Sequence, residues 1–210
     1  SKSPGIIPAT LLIAALLACG GTETPDPIPG EPGSSPNSSN STDNNTGGPA
    51  NHSPSVDGCS ELGQEIVALV NAERAKVNLP AIPLSKSMCQ VASIHTRDMA
   101  ENGPVQGECN LHSWSDQGSW SACCYTSDHA QAECMWNKPR ELTDYPGNGY
   151  ENSAVGVSTA ADAVALWMNS SGHRGVILEE GIWEGANWGA LGEDIHQSYA
   201  VLWFGKETDN

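Results

Sequence analysis

The chain has 210 residues, with 9 lysines and arginines against 25 aspartates and glutamates, and its formal net charge is −16 at neutral pH. Nucleic-acid binding needs positive charge clustered on one face, and no basic run occurs in this sequence. An acidic surface also disfavours direct adsorption to anionic lipid head groups. These observations exclude a nucleic-acid-binding protein and leave a lipid anchor as the means of membrane attachment.

The first 19 residues are typical of a lipoprotein signal peptide. The stretch from Ile6 to Ala18 is apolar apart from Pro8 and Thr10, which is too short for a membrane-spanning helix but suits a signal peptide. It leads into Leu16-Leu17-Ala18-Cys19-Gly20, which resembles the bacterial lipobox. That resemblance implies that Cys19 is lipidated and begins the mature chain, and an ordinary signal peptide is the alternative.

Residues 20–57 are predicted to form a disordered tether. They consist almost entirely of Pro, Ser, Thr, Asn, Gly and acidic residues, a composition that cannot bury enough surface to offset the entropy of ordering. Residues 58–210 remain as one domain with enough length for a substantial core. This domain carries 8 basic and 20 acidic side chains, a net charge of −12.

Periodic patterns in the domain predict an α+β fold. The first helix is expected from Glu61 to Val77 and the second from Lys86 to Glu101, with Ser60 and Ser85 as N-terminal caps. A third helix is expected from Thr159 to Asn169. The tail alternates like a strand, and residues 188–191 are expected to be its partner across a turn at Gly192-Glu193-Asp194. Residues 106–149 show no clear period.

The domain contains six cysteines, and an even number in an exported chain predicts disulfides. The six are Cys59, Cys89, Cys109, Cys123, Cys124 and Cys134. No C-x-x-C pair is present to begin a zinc site. Pairing the neighbours Cys123 and Cys124 would be strained, which leaves 12 of the 15 connectivities open.

Three titratable residues stand in apolar or turn-rich contexts, where a titratable group needs a specific reason. His112 lies in Asn-Leu-His-Ser-Trp, Glu151 in Gly-Tyr-Glu-Asn, and His173 in Trp-Met-Asn-Ser-Ser-Gly-His-Arg. Other parts of the domain carry further short motifs. They are Asn71-Ala72-Glu73-Arg74, Leu79-Pro80-Ala81-Ile82-Pro83-Leu84, His95-Thr96-Arg97-Asp98-Met99, Tyr150-Glu151-Asn152-Ser153-Ala154 and Val201-Leu202-Trp203-Phe204-Gly205.

The order of these motifs resembles the CAP superfamily of cysteine-rich secretory, antigen 5 and pathogenesis-related-1 proteins, in its bacterial SCP-like branch. The likeness runs through residues 60–206. It implies a three-layer α-β-α sandwich with a central antiparallel sheet and a cleft lined by two histidines and two glutamates. Carried over by motif, the cleft residues are His112, Glu151 and His173. Asn169 and Ser170 stand where the second glutamate is found in eukaryotic members, and Val176 replaces the asparagine usual after His173.

The chemistry of this trio leaves three readings open. Two imidazoles and a carboxylate suffice to bind zinc with one open position, so His112, Glu151 and His173 are the candidate metal ligands. The same groups are equally suited to a hydrogen-bonded cluster that requires no cofactor. A Ser-His-Glu triad would draw on Ser113, Ser170 or Ser171, although no G-x-S-x-G elbow is present.

Other singled-out residues have structural interpretations. His95, on the apolar face of the second helix, is expected to be a structural histidine with its hydrogen bonds satisfied. Asp128-His129 is expected to lie in a solvated loop, with contact to a metal or ligand as the alternative, and His196 is expected to be exposed. Trp114, Trp120 and Trp136 are expected either to line a lipid or glycan site or to serve as substitute core.

These observations together predict an exported lipoprotein at the cell surface or outer membrane, whose domain acts as a ligand-binding or interaction module. The partner would be a small molecule, a lipid, or an envelope or extracellular protein. The alternative is a metal-dependent or serine-type hydrolase acting on envelope or extracellular substrates.

Overall fold

The computed structural model describes residues 59–209. The predictions about Cys19, the signal peptide and the tether lie outside the described residues. Within the described part of the chain, no helix is long and apolar enough to cross a membrane.

The described chain contains helices, one short 3-10 turn at Gly181–Trp183, and strands. The helices are α1 (Glu61–Lys76), α2 (Lys86–Asn102), α3 (Ala132–Trp136), α4 (Lys138–Leu142), α5 (Ala160–Asn169) and α6 (Ser171–Leu178). The strands are β1 (Gly149–Val155), β2 (Ala190–His196) and β3 (Tyr199–Gly205).

The three predicted helices begin where capping residues allow them to begin. Ser60 accepts a hydrogen bond from the Gly63 amide at 3.0 Å, and Ser85 accepts one from the Met88 amide at 3.0 Å. Thr159 accepts one from the Asp162 amide at 3.1 Å. Each cap satisfies an amide that has no partner within its own helix. The predicted helices are confirmed, with ends that differ by one residue.

The strands form an antiparallel sheet in the order β1-β3-β2, with helices on both faces. Ala200, Leu202 and Phe204 of β3 belong to the core shared with α1, α5 and α6. Val201 and Trp203 belong to the core shared with α2 and the loop after it. The alternation of β3 thus supplies both cores, and the predicted three-layer α-β-α sandwich is confirmed.

The turn of the β2–β3 hairpin lies at Gln197-Ser198, where φ is 46° and 71°. The prediction of a turn at Gly192-Glu193-Asp194 was wrong, because those residues belong to β2. Two residues with positive φ make the tight hairpin connection that matches strand twist. Neither Gln nor Ser is a usual residue for that conformation, so the turn could not be predicted from the residue types.

Two further elements were not anticipated from sequence periodicity. Strand β1 carries polar residues on both faces and therefore lacks the usual alternation. Helix α6 contains His173 in its first turn, whereas the sequence suggested a turn after α5 at that point. The irregular region 106–149 contains the short helices α3 and α4.

All six cysteines of the domain are paired, as predicted. The disulfides join Cys59 to Cys89, Cys109 to Cys124, and Cys123 to Cys134. The first fastens the segment before α1 to α2. The other two fasten the loop between α2 and β1, where the least regular structure occurs.

Replacement of Gly192 by alanine is expected to destabilise the domain by about 2 kcal/mol. An added Cβ at Gly192 would lie 2.2 Å from the Cys89 backbone nitrogen and 2.3 Å from the Met88 carbonyl carbon, so strand and helix must separate. Gly175→Ala is the matched control, because its nearest neighbour lies 3.6 Å away. Urea denaturation measures both variants, and equal stabilities for the two would contradict this packing argument.

Candidate functional site

The candidate site is built on β1, whose residues point alternately to the two layers of helices. Glu151 and Ser153 lie on the face toward α2, and both are buried. Asn152 lies on the opposite face, where its side-chain amide donates a 3.1 Å hydrogen bond to the His173 carbonyl in α6. One short strand therefore positions the carboxylate and also fixes the helix that carries the second predicted histidine.

His95 is the closest ion-pair partner of Glu151. Its Nδ1 lies 2.9 Å from Glu151 Oε1 and its Nε2 lies 3.0 Å from the Ser113 carbonyl oxygen. The ring stacks on Trp114 with centroids 4.1 Å apart and is fully buried. His95 is therefore a structural histidine with both nitrogens satisfied, as expected, and it also belongs to the site.

The hydrogen-bond partners of His95 determine its protonation. A carbonyl oxygen only accepts hydrogen bonds, so Nε2 carries a proton. Burial alone would raise the pKa of Glu151, but the charge of His95 and the hydrogen bonds from His112 and His95 lower it to about 2. An ionised carboxylate also only accepts, so Nδ1 carries a proton as well. His95 and Glu151 therefore form a buried imidazolium–carboxylate pair.

His112 lies on the loop after α2 and faces the other carboxylate oxygen. Its Nδ1 is 3.3 Å from Glu151 Oε2 and 3.3 Å from Ser153 Oγ, while Ser153 donates a 2.6 Å hydrogen bond to Glu151 Oε1. Since Glu151 accepts, the Nδ1 of His112 carries a proton.

Asp98 holds the loop of His112 against α2. Its carboxylate accepts hydrogen bonds from the amide and the hydroxyl of Ser115, the former at 2.8 Å. Asn110 Oδ1 accepts from the His112 amide at 3.0 Å and fixes the start of the turn. The loop is thus positioned by backbone contacts, which leaves the imidazole of His112 for the site.

His173 lies in the first turn of α6 and is held neutral. Burial, and then the charge of His112, lowers the pKa of His173 to about 4. The dependence on His112 places both imidazoles in one electrostatic environment. Both residues are mostly buried, at 5% exposure for His112 and 8% for His173.

The predicted zinc site does not fit this arrangement. Among residues 59–209, no three His, Cys, Asp or Glu side chains are placed to hold a metal ion. The side chain of Glu151 is fully enclosed, and its oxygens already face His95, His112 and Ser153. Glu151 orients the histidines here, which is a different role from the metal ligand expected from its sequence motif.

The arrangement also differs from a serine triad. In such a triad, the nucleophile and the carboxylate contact opposite nitrogens of the imidazole. Here Ser153 and Glu151 face the same nitrogen of His112. Ser113 accepts a 2.9 Å hydrogen bond from the Tyr125 amide, and Ser170 and Ser171 begin α6, so these serines have structural roles.

Sequence reasoning missed Ser153 and Tyr125 as neighbours of the site. Ser153 follows Glu151 by two residues, so recognition of β1 as a strand would have placed both on one face. His129 was expected in a solvated loop, but its Nδ1 lies 2.9 Å from the Tyr125 hydroxyl oxygen. His196 is half-buried instead of exposed.

The tryptophans of the irregular region act mainly as core. Trp114 is 2% exposed and packs between His95, Trp203 and Trp120. Trp136 is half-buried and lies against Tyr150 with ring centroids 6.1 Å apart. Of the two readings offered by the sequence, substitute core describes Trp114.

Comparison of the sequence with models of known protein families tests the family resemblance that these motifs suggested. The model of the CAP family, described as the cysteine-rich secretory protein family, matches residues 67–182, which are 116 of the 210 residues. The chain belongs to the CAP family. No curated protein matches the chain significantly.

Solved structures similar to this chain include one, the first below, that supports the CAP fold. An extracellular protein containing an SCP domain from Bacillus anthracis matches with a TM-score of 0.51 and 23% identity, over 70% of this chain and 40% of that one. A cysteine-rich secretory protein from Staphylococcus aureus matches with a TM-score of 0.46 and 14% identity, over 69% and 38%. An outer surface protein from Borrelia burgdorferi matches with a TM-score of 0.47 and 15% identity, over 69% and 92%. The chain spans about two fifths of the length of the first two proteins.

Stability of this CAP domain is expected to fall by about 2 kcal/mol as the pH drops from 6.5 toward 4. The folded state holds His173 with a pKa of about 4, so the unfolded chain binds more protons in this window. The contribution of neutral His173 to the free energy of unfolding is complete above pH 6.5 and is lost as the pH falls toward 4. Urea denaturation of wild type and His173→Gln tests this, and parallel pH profiles for the two proteins would contradict it.

Proposed function

We propose that this protein is an exported CAP-domain binding module whose ligand site is the cluster of His112, Glu151 and His173. The observation that carries the proposal is the His95–Glu151 ion pair. It fixes the carboxylate in place and orients His112, while burial keeps His173 neutral. Two imidazoles held in fixed positions can recognise a ligand through hydrogen bonds.

The same geometry favours binding over catalysis. A general acid or base works best with a pKa near the operating pH. His173, with a pKa of about 4, is neutral throughout the physiological range, and Glu151 is ionised and enclosed. The Ser153 hydroxyl donates its hydrogen bond to Glu151 rather than to His112, which leaves no activated hydroxyl beside His112. A metal-dependent or serine-type hydrolase is therefore the weaker candidate.

Export and anchoring are supported by two independent features. Three disulfides are typical of proteins that fold in an oxidising compartment. The segment ending in Ala18-Cys19-Gly20 resembles a lipidation motif, and the composition of residues 20–57 is typical of a polar tether. We therefore place the protein at the cell surface or outer membrane as a lipoprotein, attached through its N-terminal lipid.

A ligand screen followed by histidine NMR tests the binding site. Lipid head groups, envelope glycan fragments and short peptides are screened against the full chain labelled with ¹⁵N-histidine. Ligands are expected to shift the signals of His112 and His173 and to bind His112→Ala at least tenfold more weakly. His196→Ala is the control, because His196 lies at the end of β2 in the hairpin. Ligands that leave both His112 and His173 unshifted would place the site elsewhere.

A further inference from the structure

A second loop of the disulfide-fastened region packs directly against the loop of His112. Trp114 and Cys123 form an isolated antiparallel bridge. Next to it, the Asn110 amide donates a 2.9 Å hydrogen bond to the Tyr125 carbonyl, and the Tyr125 amide donates one to Ser113 Oγ. The two loops therefore form a small two-stranded ribbon, with His112 on one strand and Tyr125 on the other.

Two disulfides fix the position of this ribbon. Cys124 is joined to Cys109 before His112, and Cys123 is joined to Cys134 in α3. Tyr125, which follows directly, is 1% exposed, and its ring lies edge-on to His112 with centroids 5.1 Å apart. The side chain of Tyr125 thus lies between His112 and the remainder of its own loop.

Tyr125 also orients a third histidine. Its hydroxyl oxygen lies 2.9 Å from His129 Nδ1, and the two ring centroids are 5.6 Å apart. Burial, and then the charge of Glu151, raises the pKa of Tyr125 to about 12, so the hydroxyl keeps its proton. Within residues 59–209, this buried hydroxyl donates its hydrogen bond to His129 Nδ1. His129 is then a neutral imidazole with its proton on Nε2.

His129 shares the electrostatic environment of the other two imidazoles. Burial, and then the charge of His112, lowers the pKa of His129, just as His112 lowers that of His173. His129 also stands at φ +60°, a conformation that a non-glycine residue adopts only when its surroundings hold it there. It is half-buried, so part of its ring is open to a ligand.

The charges around these residues indicate the class of ligand. The Glu151 carboxylate is paired with His95, and burial lowers the pKa of His129 and of His173, which keeps these two imidazoles neutral near neutral pH. The hydrogen bonds and ring contacts that the described residues give to His112, Tyr125 and His129 involve no lysine or arginine. The domain as a whole carries −12, which disfavours an anion.

We propose that Tyr125 and His129 extend the site of His112 and His173, and that the ligand is a neutral polyhydroxylated molecule, such as a glycan chain. This inference rests on the proposed function. His129 Nε2–H donates a hydrogen bond, the Nε2 of His112 offers a second ring nitrogen, and a sugar hydroxyl can both accept and donate. Buried neutral groups select such a ligand because a partner without hydroxyls leaves them unpaired.

The test uses the full chain labelled with ¹⁵N-histidine and titrated with four probes. These are the neutral trisaccharides chitotriose, cellotriose and maltotriose, and inorganic phosphate as the anion. At least one trisaccharide is expected to shift His112, His129 and His173 together, with no response to phosphate. His129→Ala and Tyr125→Phe are expected to weaken that binding about 5- to 10-fold, with exposed Ser127→Ala as the control from the same loop.

Tyr125→Phe has a second readout that a purely structural role would not change. Loss of the hydroxyl is expected to release Nδ1 of His129, so the tautomer signal of His129 changes while that of His112 stays. Shifts confined to His112 and His173 would overturn the assignment of His129 but leave the proposed function in place. Binding of phosphate in place of the sugars, or no response to any trisaccharide, would overturn the ligand class. Sugar binding that leaves all three histidines unshifted would contradict both proposals.

Discussion

Replacement of Arg74 by methionine is expected to destabilise the domain by about 3–5 kcal/mol. The guanidinium is 1% exposed and donates hydrogen bonds to the Pro80 carbonyl at 3.0 Å, the Ile177 carbonyl at 2.6 Å and Glu179 at 2.8 Å. Methionine fills much of the same volume but leaves two carbonyls and a shielded carboxylate without their donor. The effect is large because Arg74 connects three segments: α1, the chain directly after α1, and the end of α6.

Arg174→Met is the matched control for this experiment. Its ion pair with Glu180 is 3.3 Å long and exposed, and such pairs contribute little to stability. Urea denaturation of both variants measures the difference. A loss for Arg74→Met as small as that of the control would show that the buried guanidinium is replaceable by apolar packing.

Glu151→Gln is expected to destabilise the domain by about 3 kcal/mol at neutral pH and to abolish ligand binding. The amide removes the negative charge that balances His95, and its NH₂ group faces a nitrogen that already carries a proton. The pKa of Glu151 is lowered to about 2 in the folded state, so its contribution to stability is present above about pH 4.5. It is lost as the pH falls toward 2, so the difference between wild type and variant should shrink there.

Glu73→Gln provides the control for the loss of a carboxylate. Glu73 pairs with Lys76 on the surface of α1, and the lysine side chain is 66% exposed. We expect a change within about 0.5 kcal/mol for this variant at any pH. If urea denaturation gives Glu151→Gln wild-type stability at neutral pH, the buried ion pair is not present in solution.

The helices could be predicted because local signals define them. Ser60, Ser85 and Thr159 each precede an apolar stripe, and each caps the helix that follows. Strand β3 was equally readable, since its alternate residues enter two separate cores. These elements depend on periodicity and capping, which a sequence displays directly.

Strand β1 and the hairpin turn could not be predicted from the same signals. Glu151 and Ser153 occupy buried positions where apolar residues are expected, because His95 and His112 satisfy them from other parts of the chain. Gly192 looks like a turn residue, yet it is needed where β2 meets the backbone of α2. In both cases, the residue type is explained by a contact with a residue far away in the sequence.

Only part of the candidate site could be predicted from the sequence, for the same reason. The resemblance to the CAP family pointed to His112, Glu151 and His173, and the structure places Nδ1 of His112 3.3 Å from Glu151 Oε2. The pairing of His95 with Glu151 joins residues 56 positions apart, and no local sequence pattern predicts it. The motif therefore located the polar residues, but the pairing of Glu151 with His95 and the burial that keeps His173 neutral are visible only in the structure.

The protonation of the histidines tests this account most directly. A long-range ¹H–¹⁵N spectrum of the full chain at neutral pH reports how many protons each imidazole carries. We expect two protons on His95, a proton on Nδ1 of His112, and a single proton on His173. A spectrum in which His95 carries a single proton would contradict the buried imidazolium–carboxylate pair on which the proposed site depends.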